Sequence, residues 1–292
     1  MSTFAPKRIL CPVDFSDQSA SALRVAGTIA HVFASEVIVL HVQRLEAPVY
    51  FTLAQTQALE AQLRRSNRSA RKHASEFARQ NLPERIESRV IIANDDPVNA
   101  ILKAQHEHSA DLIAMGTHGR SGLARVRLGS IAESILHQAE VPILTVGPRV
   151  KRSAAPGSIQ QVLCPVNFRP GSQAALEHAA ALAGATGAVL TIAHIDEALD
   201  SPTTAAAMHS LCDGIPATVR QHCTVKEVVK QGAAAAQIVH EVEASQVDLL
   251  VIGSHPRNLL GSVLLGSTTE TVIRSASCPV LSVRASESKS AV

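Results

Sequence analysis

The feature that most constrains this chain is an internal repeat. The segment from Ile9 to Phe15 returns from Val162 to Phe168, 153 positions later, with five of its seven residues unchanged. A second block, from Asp111 to Val146, returns from Asp248 to Val283 at a shift of 137. Self-similarity on this scale indicates that one structural unit occurs twice. The smaller second shift means that the second copy is 16 residues shorter between the two blocks.

Two tandem domains are therefore predicted. A chain of 292 residues is long enough for two hydrophobic cores. We predict a first domain at residues 1–149, a linker at 150–158, a second domain at 159–286 and a tail at 287–292. The linker is identified by its proline, glycine, serine and basic residues, a composition typical of loops.

Two periodicities alternate within a copy. In the first copy, Val- and Ile-rich runs predict strands at Arg8–Val13, Glu36–Val42, Arg89–Ile92, Leu112–Met115 and Ile143–Val146. Between them, apolar residues recur at the three- and four-residue spacing of amphipathic helices. This alternation predicts an α/β fold with five parallel strands per copy and helices on both faces. Such sheets bind ligands beyond the carboxyl ends of their strands, so we expect a site after the first and fourth strands.

Composition argues against several classes of function. With a net charge of +2, one tyrosine, six phenylalanines and no tryptophan, the chain has few aromatic residues on which to stack bases. Its apolar runs are far shorter than the roughly 20 residues of a membrane-spanning helix. The first residues contain no apolar signal segment, and the five cysteines form no C-x-x-C pair. We expect a cytoplasmic protein with no nucleic-acid or membrane partner and with inert cysteines.

A glycine-rich loop follows the predicted fourth strand of the first copy. It reads Gly116-x2-Gly119-x9-Gly129-Ser130 and contains Arg120, Arg125 and Arg127. Glycines let a backbone approach an anion, a helix N-terminus offers unpaired N–H groups, and arginines pair with phosphate. These features are typical of a polyphosphate site, although similar turns also close strand–helix connections that bind nothing.

Several polar side chains near this loop have two interpretations. Ser130 and Ser267 each precede a glutamate by three positions, so we predict that both serines cap their helices, with or without a ligand. Asp14 could accept hydrogen bonds from a ribose or an adenine, or could form a local turn that starts the first helix. His118 and its counterpart His255 could contact phosphate or stabilise their loops.

Two further pairs of matching residues are expected to be structural. His41 and His194 end the second strand of each copy, and we predict that both are held by hydrogen bonds. Cys11 and Cys164 lie inside matching strands, which favours buried packing.

The combination of these segments resembles universal stress proteins over nearly the whole chain. It rests on Ile9–Ser16, Leu40-His41-Val42, the Asp111–Gly116 segment, the glycine loop and Val141–Val146. The resemblance implies two tandem Rossmann-like domains of the adenine nucleotide alpha hydrolase-like type. Each would be a five-stranded parallel sheet of order 3-2-1-4-5 with helices on both faces, pairing through its fifth strand. In one branch of the family it also implies bound ATP, with or without Mg²⁺.

The same resemblance assigns roles to individual residues. Asp14 would contact the nucleoside, and the Val42 backbone would contact the adenine. Ribose and phosphates would be held by Gly116, Gly119, Gly129 and Ser130, with Ile131 and Ala132 continuing the start of the helix. The predicted nucleotide site is completed by Pro12, Val13, Met115, His118, Arg120 and Arg127.

The second copy departs from this pattern. Asn167 stands in the place of Asp14, and Pro256 stands in the place of Gly119, which removes a backbone donor. Arg257 is the one cation left in a loop that has three in the first copy. We therefore predict a degenerate second site that binds nucleotide weakly or not at all. Its residues are Asn167, Gly253, His255, Gly266 and Ser267.

The chain contains no common catalytic motif. Gly-x4-Gly-Lys-Ser/Thr, Gly-x-Ser-x-Gly and His-Glu-x-x-His are absent, so we predict no catalytic residue and no metal site. The function predicted is that of an ATP-binding regulatory or protective stress protein. We expect it to form a homodimer on top of the internal pairing of its two copies and to act on a protein partner. A slow ATP hydrolase and a nucleotide-free interaction scaffold remain as alternatives.

Overall fold

The computed structural model describes residues 4–43, 53–118, 128–150, 158–196, 202–254, 257–259, 262–264 and 266–285. The first half alternates strands with helices, in the order β1 (Arg8–Val13), α1 (Asp17–Phe33), β2 (Glu36–Gln43), α2 (Leu53–Asn81), β3 (Ser88–Asn94), α3 (Pro97–Glu107), β4 (Leu112–Gly116), α4 (Ser130–Gln138) and β5 (Ile143–Val146). All five strands predicted for this half are found, each within two residues of its predicted bounds.

The second half repeats this order with a different second connection. Its elements are β6 (Gln161–Val166), α5 (Pro170–Thr186), β7 (Val189–Asp196), α6 (Pro202–Asp213), α7 (Ala217–Arg220), β8 (Thr224–Gln231), α8 (Ala234–Ala244), β9 (Leu249–Ser254), β10 (Arg257–Leu259), β11 (Ser262–Leu264), α9 (Ser267–Ser275) and β12 (Val280–Arg284). The short antiparallel pair of β10 and β11 lies within the second glycine loop and was not predicted.

Ten strands form one continuous sheet, in the order β3-β2-β1-β4-β5-β12-β9-β6-β7-β8. Within each half the strands are parallel, and each half has the order that the family resemblance implies. The halves join where β5 and β12 pair antiparallel, with Leu144 opposite Leu281. The predicted α/β class is therefore confirmed, and the two sheets are fused into one.

The core lies in two layers because successive side chains of a strand point to opposite faces. On one face Ile9 and Cys11 pack with Leu23 and Ile29 of α1, and on the other Leu10 packs with the helices that include α3 and α4. Both layers extend through both halves. The carboxyl ends of the first-half strands therefore lie on a buried core.

Four of the five cysteines are buried, as predicted, and Cys223 is half-buried against the core. Cys11 and Cys164 are fully buried, and burial raises the pKa of both thiols. Cys278 is buried as well, and burial raises its pKa to about 12. A thiol held in its protonated form is a poor nucleophile. Separately, no helix among the described residues is both long and apolar enough to cross a membrane.

Candidate functional site

A cleft of about 560 Å³ opens at the carboxyl ends of β1, β2 and β4. The residues that line it are Pro12, Val13, Asp14, Ser19, Leu40, His41, Val42, Pro97, Ile101, Met115, Gly116, Thr117, His118, Gly129, Ser130, Ile131 and Ala132. Parallel sheets position ligands here, where the strands end and the connections to the following helices separate.

Eleven residues of the predicted first site line this one cleft. They come from three places in the chain: Pro12 to Asp14, Val42, and the segments on either side of the glycine loop. Gly119, Arg120, Arg125 and Arg127 lie outside the described residues. Five further lining residues were not predicted, namely Ser19, Leu40, Pro97, Ile101 and Thr117, and His41 was predicted to be structural. Ile101 and Leu40 are buried apolar residues that no sequence motif distinguishes from the rest of the core.

The turn between β1 and α1 has a strained backbone at the edge of the cleft. Phe15 has a φ of 65°, a left-handed conformation that bulky residues rarely adopt. Asp14 Oδ1 accepts hydrogen bonds from the Ser16 backbone N–H at 3.1 Å and from the Ser16 hydroxyl at 2.6 Å. Ser16 is the N-cap of α1 and accepts from the Ser19 N–H. The local interpretation of Asp14 is thus realised, and its carboxylate is held at the mouth of the cleft.

His41 is held at the same mouth by hydrogen bonding and stacking. Its Nδ1 donates to the Val13 carbonyl at 2.9 Å, and His194 makes the same bond to Val166 at 2.9 Å, as predicted. The Phe15 ring lies 4.4 Å from the His41 ring and stacks on His73 of α2 at 4.3 Å. Because Nδ1 carries the proton in this bond, the other ring nitrogen of a neutral His41 is an acceptor.

Two glycines of the loop are explained by close packing. A Cβ at Gly116 would lie 2.8 Å from the Gln18 Cβ, so this glycine lets β4 approach α1. A Cβ at Gly129 would lie 2.8 Å from the Thr117 carbonyl oxygen, which accepts the Gly129 N–H at 2.9 Å. Packing alone therefore requires glycine at both positions, with or without a ligand.

The predicted helix caps are wrong. Gly129 is the N-cap of α4 and Gly266 that of α9, so Ser130 and Ser267 are the first helical residues, and neither helix has a side-chain cap in the described structure. At Gly129 the close contact with Thr117 leaves no space for a serine in the cap position. The first N–H groups of a helix attract anions when no side chain satisfies them. An anion is therefore electrostatically favoured at the start of α4.

His118 completes the wall beside α4. Its Nδ1 lies 2.9 Å from the hydroxyl of Thr117, a fully buried residue, so the ring is positioned by its neighbour in the chain. The ring also lines the cleft.

The second half contains an equivalent cleft of about 500 Å³. Asn167, Gly253, Gly266 and Ser267 line it, as predicted for the second site, whereas His255 lies outside the described residues. Asn167 Oδ1 accepts from the Arg169 N–H at 3.2 Å, which reproduces the local turn made by Asp14. Arg169 also lines this cleft and was missed by sequence reasoning, which compared cations within the glycine loops alone.

Comparison with known proteins finds relatives over both repeats. The universal stress protein family model matches residues 6–147 and 158–284. A universal stress protein of Mycolicibacterium smegmatis is 29% identical over 295 residues, which cover 94% of this chain and 96% of that protein. Universal stress protein MJ0531 of Methanocaldococcus jannaschii is 32% identical over 145 residues, 48% of this chain and 81% of its own. The solved structure of a universal stress protein from Archaeoglobus fulgidus DSM 4304 is 25% identical and covers 97% of this chain and 100% of its own, with a TM-score of 0.75.

Proposed function

This chain belongs to the universal stress protein family, and from that premise we propose that its first half binds ATP and that occupancy of this cleft is the signal the protein carries. The observation that supports the proposal is the lining of the first cleft. Eleven residues assigned to a nucleotide from the sequence line one space at the carboxyl ends of β1, β2 and β4. The protein would act as a regulator or protectant in a stress response and not as a dedicated enzyme.

The chemistry of the cleft matches the parts of a nucleotide. Apolar side chains of Leu40, Val42 and Ile101 suit the flat face of an adenine. The Asp14 carboxylate accepts hydrogen bonds, which suits ribose hydroxyls. The start of α4 favours negative charge through its dipole and its first N–H groups. Because β2, β1 and β4 are neighbours in that order in the sheet, Val42, Asp14 and the start of α4 would meet base, ribose and phosphate in turn.

Occupancy would act through the start of α4. Gly129, the N-cap of α4, donates a hydrogen bond to Thr117, which directly follows β4. A phosphate on the first turn of α4 would add to this contact and fix the helix relative to β4. A bound nucleotide shifts a conformational equilibrium only by its difference in affinity between the two states. The output would therefore be a change in shape or pairing that a protein partner reads.

Titration calorimetry of the nucleotide-stripped protein with Mg-ATP tests the proposal. Asp14→Asn is the informative variant, because Asn167 keeps the same local turn in the second half without a charge. We expect about one ATP per chain for the wild type. Affinity should fall about tenfold to a hundredfold in Asp14→Asn, the value of a hydrogen bond to a charged group.

The matched control is Asn167→Ala, which changes the equivalent position of the second half and should leave ATP binding unchanged. Two equivalent ATP sites, or an equal loss in both variants, would contradict the assignment to the first half. No heat at millimolar ATP would favour the nucleotide-free scaffold. Phosphate release that disappears in Asp14→Asn would instead favour the slow hydrolase.

A further inference from the structure

A pocket of about 320 Å³ lies in the second half, between α5 and the pair of helices α6 and α7. It shares no lining residue with either cleft. Most of its wall is apolar and is formed by Leu176, Ala180, Ala181, Leu211, Ile215 and Val219. A pocket of this size and character suits a small organic molecule.

The equivalent place in the first half is filled by the chain itself. Leu82 and Pro83, which follow α2, pack so closely on α1 that a Cβ at Gly27 would lie 2.9 Å from the Pro83 Cδ and 3.0 Å from the Leu82 Cδ2. At the shift of 153, Gly27 corresponds to Ala180, which lines the pocket. Because α6 and α7 take the place of α2, this face of α5 borders a pocket where α1 has packed side chains.

The same exchange places a carboxylate at the pocket. In the first half, Arg24 donates to Asn81 at 2.6 Å and to Ser21 at 2.9 Å. Its counterpart is Glu177, which is half-buried, lines the pocket and forms no salt bridge with a cation of the described residues. Burial lowers the pKa of the neighbouring His178, so this ring is neutral at pH 7 and does not compensate the carboxylate.

The end of α6 adds to the negative potential of the pocket. Ser210, Leu211 and Gly214 line it, so the last turn of α6 borders it. The last carbonyls of a helix carry partial negative charge, and this turn contains no basic residue of its own. The nearby Arg220 is paired with Asp213 at 3.6 Å and does not line the pocket. A cation is therefore favoured between Glu177 and the end of α6.

We propose that this pocket binds a small protonated amine with an apolar body, and that the ammonium group lies on the Glu177 carboxylate. The apolar wall removes the body of the ligand from water, and the carboxylate accepts charge-assisted hydrogen bonds from the ammonium. The Gln173 amide, which also lines the pocket, offers a further acceptor. No aromatic residue is among the described residues of its wall, so a primary amine suits it better than a quaternary ammonium does. This inference goes beyond the proposed ATP site and does not depend on it.

Fluorescence titration with 1-naphthylmethylamine tests the proposal. The chain has no tryptophan, so the emission of the naphthalene ring can be followed with little protein background. The comparison probe is 1-naphthylacetate, which has the same apolar body and the opposite charge. The key variant is Glu177→Gln, which removes the charge and keeps the size of the side chain. Its matched control is Glu243→Gln, an exposed change in the same half that does not line the pocket.

We expect saturable binding of the amine that weakens about tenfold or more in Glu177→Gln and is unchanged in Glu243→Gln. The wild type should bind 1-naphthylacetate about tenfold or more weakly than the amine. Ala181→Leu, which extends a half-buried side chain into the pocket, should lose binding of the amine without a fall in melting temperature.

Three results would overturn the proposal: no saturable binding of the amine at millimolar concentration, equal binding of the two probes, or normal binding of the amine by Glu177→Gln. ATP binding at the first cleft should be the same in all these proteins, because the pocket and that cleft share no residue. A failure of this proposal is therefore distinguishable from a failure of the ATP proposal.

Discussion

Gly129 and Gly266 cap the equivalent helices of the two repeats, in different surroundings. Both have ordinary backbone angles, with φ of −66° and −62°, so neither position requires glycine for its conformation. A Cβ at Gly129 would meet the Thr117 carbonyl oxygen at 2.8 Å, while at Gly266 the nearest atom of the described residues would be 4.0 Å away. The start of α4 is therefore packed against β4 more tightly than the start of α9 is packed against β9.

The first prediction follows from this difference. Gly129→Ala should destabilise the protein by about 1–3 kcal/mol, the usual cost of forcing an extra carbon into a packed site. Gly266→Ala is the matched control, because it also replaces a glycine N-cap with alanine and adds no clash. Urea unfolding of the two variants measures the difference. Equal midpoints would mean that the Thr117 contact relaxes at no cost.

Single residues also show where sequence reasoning reaches its limit. The position of Asp14 beside the glycine loop could be predicted because both follow strands that are adjacent in a sheet of known order. The helix caps could not be predicted. A serine three positions before a glutamate gives the same sequence pattern whether the serine is the N-cap or the first residue of the helix. At the start of α4 the close approach of Gly129 to the Thr117 carbonyl oxygen separates the two cases.

At the scale of elements, an ion pair between the buried Glu241 and the half-buried Lys230 connects α8 to the edge strand β8. Glu241 is buried and accepts hydrogen bonds from Lys230 and Ser245, whereas the equivalent residue of the first half is Ala104. The hydrogen bond from Lys230, followed by that from Ser245, holds the pKa of Glu241 below its ordinary value. The pair thus stabilises a connection that the first half makes with apolar contacts.

The second prediction concerns the pH dependence of this pair. A lowered pKa in the folded state means that the carboxylate contributes stability at neutral pH, which is lost as the pH falls through the folded-state pKa. Glu241→Gln should cost about 1–3 kcal/mol at pH 7 and clearly less near pH 3. Urea midpoints at both pH values test this. Glu243→Gln, an exposed change on the same helix, should show no such pH dependence.

Elements differ in how far the sequence predicts them. The strands could be predicted because continuous apolar runs are typical of strands buried on both faces. The pair of β10 and β11 could not be predicted, since its three-residue strands are too short to show a period of two. The sequence showed that the second half is 16 residues shorter in this connection. It did not show that α6 and α7 would take the place of α2.

At the scale of the whole molecule, the two halves stabilise each other's helix ends. Arg284 donates to the carbonyls of His137 at 2.6 Å and Ala139 at 3.0 Å, at the end of α4. Arg149 donates to the Ser275 carbonyl at 3.2 Å, at the end of α9. Cations at the C-terminus of a helix are favourable because they satisfy its last carbonyls and oppose its dipole. Each glycine-loop helix therefore begins at its own cleft and ends on the other half.

The third prediction compares these two arginines. Arg284→Ala removes two hydrogen bonds from a half-buried charged group and should cost about 1.5–3 kcal/mol. Arg149→Ala removes one longer bond from an exposed side chain, so we expect a loss below about 1 kcal/mol. Thermal or urea unfolding distinguishes the two. A larger loss of stability in Arg149→Ala than in Arg284→Ala would show that the contact at the end of α9 stabilises the junction more than the contacts at the end of α4.

The pairing of β5 with β12 also constrains assembly. The pairing through the fifth strand that the family resemblance implies occurs here between the two halves of one chain. The free edges of the described sheet are β3 and β8. The homodimer expected from the sequence stays a prediction, and it would have to form through another surface. The halves themselves should not separate, because separation would expose two apolar central strands whose backbone groups are paired.

The fourth prediction tests this directly with a protease site placed between residues 151 and 157. After cleavage, the two halves should elute together in gel filtration, at the position of the uncut chain, and separate only in denaturant. Cleaved Arg284→Ala should separate at a lower urea concentration than cleaved wild type, since it lacks the contacts of the first half's helix end. Halves that separate without denaturant would mean that the linker, and not the β5–β12 junction, holds the molecule together.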